Sequence, residues 1–393
     1  TASWARPVRL RVRRSNSVRS AGVKAIGWVS IPANIALHTY LVQSTSLGLM
    51  RQTTAIRIER HGPPEVLAER QVPLPEAGPG EVHLEVLAAG VNFADLLMRA
   101  GLYATVPPRP YSPGFEVAGV VRGLGTGVVG WALGDPAVAL IRHGGYARDI
   151  VVPERNLFRY PSGLTPTQAA AIPVAFLTAA VALFESARAR AGETVLVLNA
   201  AGGVGTAAVQ LARWRGLRVL GTAGSAAKRA FVTERLGAEA CFDSAGDWTR
   251  DVEATLGPRR LDLALDAIGG EATARCRRLL APLGRLVFYG LSDAMPRDQR
   301  RFLPMALAWL KTPRLHPLSL IEPNLAISGI HLLHLHHREE LLWPLLGEIF
   351  DAVTSGALEP IVDRTFPLDR AGAVAAHQHL HARRVIGKVV LVA

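Results

Sequence analysis

The segment Thr194-Val-Leu-Val-Leu-Asn-Ala-Ala-Gly-Gly-Val-Gly-Thr-Ala-Ala-Val-Gln-Leu-Ala212 constrains this chain more than any other. Its uninterrupted Val/Leu run reads as a strand buried on both faces, which is the habit of a parallel sheet covered by helices. The run passes into Gly202, Gly203 and Gly205. After them Val204, Ala207, Ala208 and Leu211 fall on one helical face, and Gly216 suits the end of that helix. A glycine turn in this position lets a pyrophosphate approach backbone N–H groups at a helix N-terminus, where the dipole favours negative charge. The glycine spacing departs from the usual G-x-G-x-x-G, but the strand, turn and helix stand in the right order, so a dinucleotide site is expected here.

The end of the next strand carries the choice of cofactor. Enzymes that use NAD place an acidic side chain there to bind the ribose 2′-hydroxyl. This chain has Gly221-Thr-Ala-Gly224-Ser225-Ala-Ala-Lys228-Arg229, with no acid. Ser225 offers a hydroxyl, and Lys228 and Arg229 offer positive charge to a 2′-phosphate, so NADPH is the expected cofactor. A helix start capped by Ser225, with solvated basic residues behind it, is the plainer reading of the same residues.

Around this site the chain divides in character near Thr165. Before it, Val82, Leu84, Val86 and Ala88 alternate as in a half-buried strand. The runs Glu116–Arg122 and Tyr146–Val152 follow, separated by Gly/Pro turns, in the manner of a β-barrel. After it, helical segments alternate with the strands Thr194–Leu198, Arg218–Gly221, Leu261–Asp266 and Arg285–Tyr289. From Ala326 the pattern returns to a strand (Ile327–Leu332), a helix (Glu339–Ser355) and a last strand (Val389–Val392).

Composition narrows the function classes. The chain has 393 residues, 49% of them hydrophobic, enough for one large or two ordinary cores. Its net charge of +12 would suit a nucleic-acid partner, but residues 1–49 hold seven basic residues and no acidic one, which leaves +5 for the remainder. No basic stripe interleaves with aromatics, so no nucleic-acid partner is expected. Cys241 and Cys276 are the only cysteines, which excludes a Cys-rich zinc lobe and suits a reducing, cytoplasmic setting. The histidines at 331, 334, 336 and 337, and again at 377, 379 and 381, read as structural or surface residues, since no carboxylate or Cys completes a metal set. None of the six tyrosines has a Lys four residues on, as a short-chain reductase would require.

Residues 1–51 read as a basic leader outside the fold. A transit peptide, a signal anchor interrupted by Pro32, Asn34, His38 and Gln43, a flexible extension, and a true start at Met50 all fit. The last is preferred, because a strand pattern begins only at Thr54. Membrane insertion is not expected. The segment 293–317 is basic and apolar together (Arg297, Arg300, Arg301, Phe302, Trp309, Lys311) and reads as a lid, a dimer contact or a membrane-surface patch.

From Thr54 to Ala393 the chain resembles the medium-chain dehydrogenase/reductases, in particular the zinc-free quinone oxidoreductase (zeta-crystallin-like) branch. The resemblance rests on the glycine turn and on Ala89-Gly-Val-Asn-Phe-Ala-Asp-Leu96, Gly101-Leu-Tyr103, Pro113-Gly-Phe-Glu116, Ile172-Pro-Val-Ala-Phe-Leu-Thr-Ala179 and Ile386-Gly-Lys388. Tyr289-Gly-Leu-Ser with Ile327-Ser-Gly-Ile-His-Leu332 looks most like the vesicle amine transport protein-like reductases. Enoyl reductase domains of polyketide synthases are similar through Asn92, Tyr103 and the glycine turn.

The resemblance implies an α/β fold with a GroES-like β-rich catalytic domain (52–172 and 327–393) against a Rossmann domain (173–326), and NADPH between them. It implies no zinc, because relatives that bind zinc place a Cys where this chain has Asn92 and a His where it has Phe115. It places Asn92 and Tyr103 beside the substrate, Thr178 near the carboxamide, Tyr289-Gly290-Leu291 beside the nicotinamide and Arg383 at the cofactor or cleft rim. Two departures are Leu97, a tyrosine in many relatives, and Ser244, where some relatives hold the 2′-phosphate with a tyrosine. The expected activity is hydride transfer to a quinone or α,β-unsaturated carbonyl, by a homodimer. A trans-acting polyketide-type enoyl reductase, or a non-catalytic NADPH-binding protein attached to membranes or partners, are the alternatives.

Overall fold

The computed structural model describes residues 51–103, 105–292 and 316–393. The leader lies outside the described residues, as does the 293–317 segment apart from its last two residues. The chain opens with a hairpin, β1 (Gln52–Ile58) against β2 (Leu67–Pro73). The strands β3 (Glu81–Val91), β4 (Glu116–Leu124), β5 (Pro136–Leu140), β6 (Asp149–Pro153) and β7 (Leu157–Arg159) follow, antiparallel to their neighbours. The alternation expected of β3 holds only in part. His83 is buried too, on Asp149, because this strand is central and pairs with β4 and β6 at once.

The second part is a six-stranded parallel sheet. Its strands are β8 (Thr194–Val197), β9 (Arg218–Ala223), β10 (Ala240–Asp243), β11 (Leu261–Asp266), β12 (Leu280–Phe288) and β13 (Ala326–Gly329), in the order β10-β9-β8-β11-β12-β13. That is the doubly wound order, with the topological switch between β8 and β11, where such sheets bind ligands beyond their carboxyl ends. All four residues of β8 are buried, as its unbroken apolar run requires. The strand expected at Ile327–Leu332 runs Ala326–Gly329 and pairs with β12, so it closes the parallel sheet, and the chain returns to the antiparallel part after Gly329. A four-residue run has too little periodicity to declare which sheet it joins.

The return supplies β14 (Val362–Pro367) and β15 (Lys388–Val392), which pair in parallel. β15 then lies antiparallel to β3, completing a seven-stranded sheet. The apolar run Pro166–Ser186 joins the two parts. It is long and apolar enough to cross a membrane, but 78% of its most apolar window is buried inside the fold, which makes it a core helix.

Candidate active site

The parallel sheet delivers three turns to one edge. At the end of β8, Gly202 precedes the helix Gly203–Trp214 in an extended conformation, and its carbonyl accepts the Thr206 N–H at 2.8 Å. Glycine is needed at 205, where a Cβ would lie 2.2 Å from the Asn199 carbonyl oxygen. Gly203 is less confined, since its nearest neighbour, the Gly387 carbonyl oxygen, would be 3.4 Å away. Val204 is half-buried, while Ala207, Ala208 and Leu211 are buried as the helical pattern predicts. Thr178 is buried on Pro173–Ala180, the helix packed against this one.

At the end of β9, Ser225 is the expected cap, its Oγ accepting the Lys228 N–H at 3.3 Å. As a hydroxyl it still has a proton to donate. Gly224 stands beside Ser244, whose Oγ would be 3.5 Å from an added Cβ. The two basic residues part company. Lys228 Nζ donates to the Arg383 carbonyl at 2.8 Å, and burial lowers its pKa, with Asp363 opposing. Arg229 instead pairs with Asp243 at 3.1 Å. Arg383 itself reaches the Ser292 carbonyl at 2.9 Å, so one residue spans from the β9 turn to the β12 turn.

At the end of β12, the Tyr289 N–H donates to the Asp266 carbonyl at 3.1 Å, and Gly290 runs close beneath Ala267. The Tyr289 hydroxyl is buried with no hydrogen-bond partner among the described residues, and burial raises its pKa. Leu291 is exposed, its Cδ1 against Gly269.

Facing this edge is a cluster built by three adjacent strands. Antiparallel pairing sets the start of β15 beside the end of β3, and the end of β3 beside the start of β4 (Val389 opposite Val91, Ala89 opposite Val117). Lys388, Asn92 and Glu116 are therefore brought together. Asn92 Nδ2 donates to Glu116 Oε1 at 2.8 Å, and Lys388 Nζ donates to both Asn92 Oδ1 and Glu116 Oε1. The second Glu116 oxygen accepts the Val174 N–H at 2.7 Å. Asp95, fully buried, accepts the N–H groups of Asn92 at 2.8 Å and Gly114 at 2.7 Å. Burial pushes its carboxyl up to about 7, against the opposing pull of those two N–H groups and of Lys388.

Gly387 stitches the cluster to the dinucleotide turn, donating its N–H to the Ala201 carbonyl at 2.9 Å and bridging Gly202. Tyr103, half-buried against Phe115, meets His331 Nε2 through its hydroxyl at 2.9 Å. Burial first, then Asp95, pushes this phenol up to about 12, with Arg142 opposing. Lys388, Glu116 and His331 are the residues that sequence reasoning passes over. The first two sit inside family-like segments without a role of their own, and His331 reads there as a surface residue among other histidines.

These residues fit a dinucleotide. Gly202 and Gly203 bring bare backbone to the helix N-terminus, Gly205 has no room for a side chain, and the buried Tyr289 hydroxyl has no hydrogen-bond partner among the described residues. They do not fit a zinc ion. Both polar atoms of Asn92 are engaged by Lys388 and Glu116, Phe115 has no donor atom, and the Lys388 ammonium already stands as the positive charge beside Glu116.

Known proteins match both parts of the fold. Residues 78–162 match the alcohol dehydrogenase GroES-like domain, and residues 236–391 match a family model described as zinc-binding dehydrogenase. The synaptic vesicle membrane protein VAT-1 homolog of Rattus norvegicus is 35% identical over 327 residues, covering 83% of this chain and 80% of that protein. The quinone oxidoreductase from Thermus thermophilus, whose structures include a complex with NADPH, is 39% identical at a TM-score of 0.71, covering 86% of this chain and 100% of that one. The CurK enoyl reductase is 26% identical at a TM-score of 0.75, covering 87% and 99%. The chain belongs to the medium-chain dehydrogenase/reductase superfamily of oxidoreductases, close to the VAT-1 homologs and the quinone oxidoreductases.

Proposed function

We propose that this chain is an NADPH-dependent reductase that passes hydride to a quinone or an α,β-unsaturated carbonyl without a metal. The observation that carries the reading is the junction at Gly387-Lys388, which sets the glycine turn of the parallel sheet directly against the Asn92 cluster. The Thermus quinone oxidoreductase and its NADPH complex support it. Gly202, Gly203, Val204 and Gly205 would hold the pyrophosphate. Gly224, Ser225 and Lys228 would hold the 2′-phosphate, with Arg383 beside them. Thr178 and Tyr289-Gly290-Leu291 would border the nicotinamide, which supplies the hydride. Asn92 and Tyr103 then present donors to the acceptor's oxygen as negative charge develops there.

A homodimer belongs to the same proposal, since β13 is an edge strand whose outer side has no partner strand among the described residues. Both cysteines are free, which suits a reducing, cytoplasmic setting. The likeness to the CurK enoyl reductase favours one second reading, a trans-acting enoyl reductase on a carrier-bound chain.

The test is oxidation of NADPH by the full chain, with NADH as control, against an ortho-quinone, a small enone and an enoyl thioester. Turnover of the quinone or enone with a preference for NADPH is expected. Turnover of the thioester alone would favour the second reading. Saturable NADPH binding with no turnover on any acceptor would overturn both and leave a binding protein, a role that the vesicle-membrane name of the rat relative would suit.

A further inference from the structure

Resting on that reductase reading, we propose that His331 supplies, through Tyr103, the proton that the reduced acceptor requires, and that His331 is itself recharged from solvent. The two side chains come from different parts of the fold. Tyr103 follows the helix Phe93–Ala100 of the antiparallel part, and His331 follows β13 of the parallel sheet. Their 2.9 Å hydrogen bond therefore joins the two parts of the fold. Beside His331, in the short helix Leu332–His334, the His334 ring lies with its centroid 4.1 Å away. Both histidines are exposed and Tyr103 is half-buried, so the path runs from water to the phenol. The phenol in turn lies in the field of Asp95, whose carboxyl holds the Asn92 N–H.

The chemistry follows from which partner holds the proton. A neutral His331 accepts the Tyr103 O–H at Nε2, and the phenolic proton then points away from any acceptor. A protonated His331 donates Nε2–H to the phenol oxygen, and the Tyr103 O–H is free to face the acceptor. A bound nicotinamide would supply the hydride to the acceptor's carbon, which would leave an oxyanion on the acceptor's oxygen. That oxygen takes the Tyr103 proton as the phenol oxygen takes the Nε2 proton of His331. The Tyr103 O–H bond breaks, a new one forms, and His331 is left neutral until water returns a proton. A phenol buried in this way gives up its proton more readily when the proton is replaced as it leaves, and His331 is placed to replace it.

Among the described residues, the groups facing His331 are Tyr103, His334 and Arg142. Partial desolvation of its ring, then His334 and Arg142, lower its pKa, while a backbone hydrogen bond raises it. Since the protonated form is the active one, turnover should fall as pH rises through a midpoint below the ordinary histidine value of 6.5.

The experiment measures enone reduction by the full chain across pH for the wild type and for His331→Asn, His334→Gln, Tyr103→Phe and the Tyr103→Phe/His331→Asn pair. His331→Asn is expected to lose the pH-dependent limb and to lower kcat about 100-fold below the midpoint, leaving KM for NADPH unchanged. His334→Gln should move the midpoint upward, because a neighbour that opposes protonation is gone. The pair should be no slower than Tyr103→Phe alone. In the cofactor-free chain, the imidazole resonance of His331 should titrate at the same midpoint as turnover. A His331→Asn profile that keeps its limb, or a resonance midpoint that differs from the kinetic one, overturns the relay while leaving the reductase reading intact. A wild type that reduces no acceptor overturns both.

Discussion

Lys388 Nζ donates to Asn92 Oδ1 across the β15–β3 boundary, and this one contact fixes what Asn92 can offer to a ligand. A lysine can only donate and a glutamate carboxylate can only accept, so Oδ1 must face Lys388 and Nδ2 must face Glu116. One N–H of the amide remains, and Asn92 is a donor to whatever binds beside it. The same lysine brings its ammonium next to both the amide and the Glu116 carboxylate.

Removal of that charge tests how deeply the pair is desolvated. Glu116 is fully buried and Lys388 nearly so. Lys388→Met leaves a carboxylate uncompensated in the core and is expected to cost about 3–5 kcal/mol in denaturant unfolding. The double change Lys388→Met/Glu116→Gln should recover much of that loss. A single variant within about 1 kcal/mol of wild type, the range of an exposed pair, would show that water reaches the cluster.

The glycine turn makes a contrasting pair of predictions. Alanine at 205 would place its Cβ 2.2 Å from a backbone carbonyl, so Gly205→Ala should deform the turn, lower the melting temperature and weaken cofactor binding together. Alanine at 203 meets its nearest atom at 3.4 Å, so Gly203→Ala should fold normally. Calorimetry and dinucleotide titration of both variants check this, and equal losses would refute the reading of the turn.

Much of this is legible in the sequence because the relevant signals are local. The unbroken apolar run of β8, the glycines after it and the helical face behind them lie within twenty-odd consecutive residues, and the structure places them as read. The Ser225 cap is local too. What escapes is non-local. Lys388, Asn92 and Glu116 are spread along the chain and meet only through antiparallel register, to which no spacing rule applies. His331 looks like one of a cluster of histidines, and its partner Tyr103 lies 228 residues away. The carboxylate beside Arg229 is non-local too, since Asp243 stands on the neighbouring strand. The assignment of β13 fails because a four-residue strand carries no period.

The different fates of Lys228 and Arg229 separate their contributions to cofactor choice. Lys228 is half-buried, with its ammonium on a backbone carbonyl that a phosphate can replace, whereas Arg229 is held by Asp243. Lys228→Ala should raise KM for NADPH about tenfold or more with little change for NADH, since a charge-assisted hydrogen bond is worth about 1.5–3 kcal/mol. Arg229→Ala should have a smaller effect. Equal effects on the two nucleotides in Lys228→Ala would remove this lysine from the 2′-phosphate site.

Asp95 predicts a pH dependence of stability whose sign can be worked out. Its carboxyl is pushed up to about 7 in the fold from an ordinary value of 3.8, so between those values the folded chain holds more protons than the unfolded one. The stability this group contributes is fully present below the lower value and is lost as pH rises through the upper one. Burial depresses His61, His143, His331 and His377, which gives an opposite slope over part of the same window, so the total is a poor readout. The difference between wild type and Asp95→Asn isolates the carboxyl. The asparagine keeps one acceptor for the N–H groups of Asn92 and Gly114 and does not titrate. Denaturant unfolding at several pH values should therefore show the advantage of wild type over Asp95→Asn shrinking from acid toward neutral pH. An advantage that holds constant or grows across that range would mean that Asp95 is ionised in the fold, stabilised by Lys388 and its two N–H donors beyond the cost of its burial.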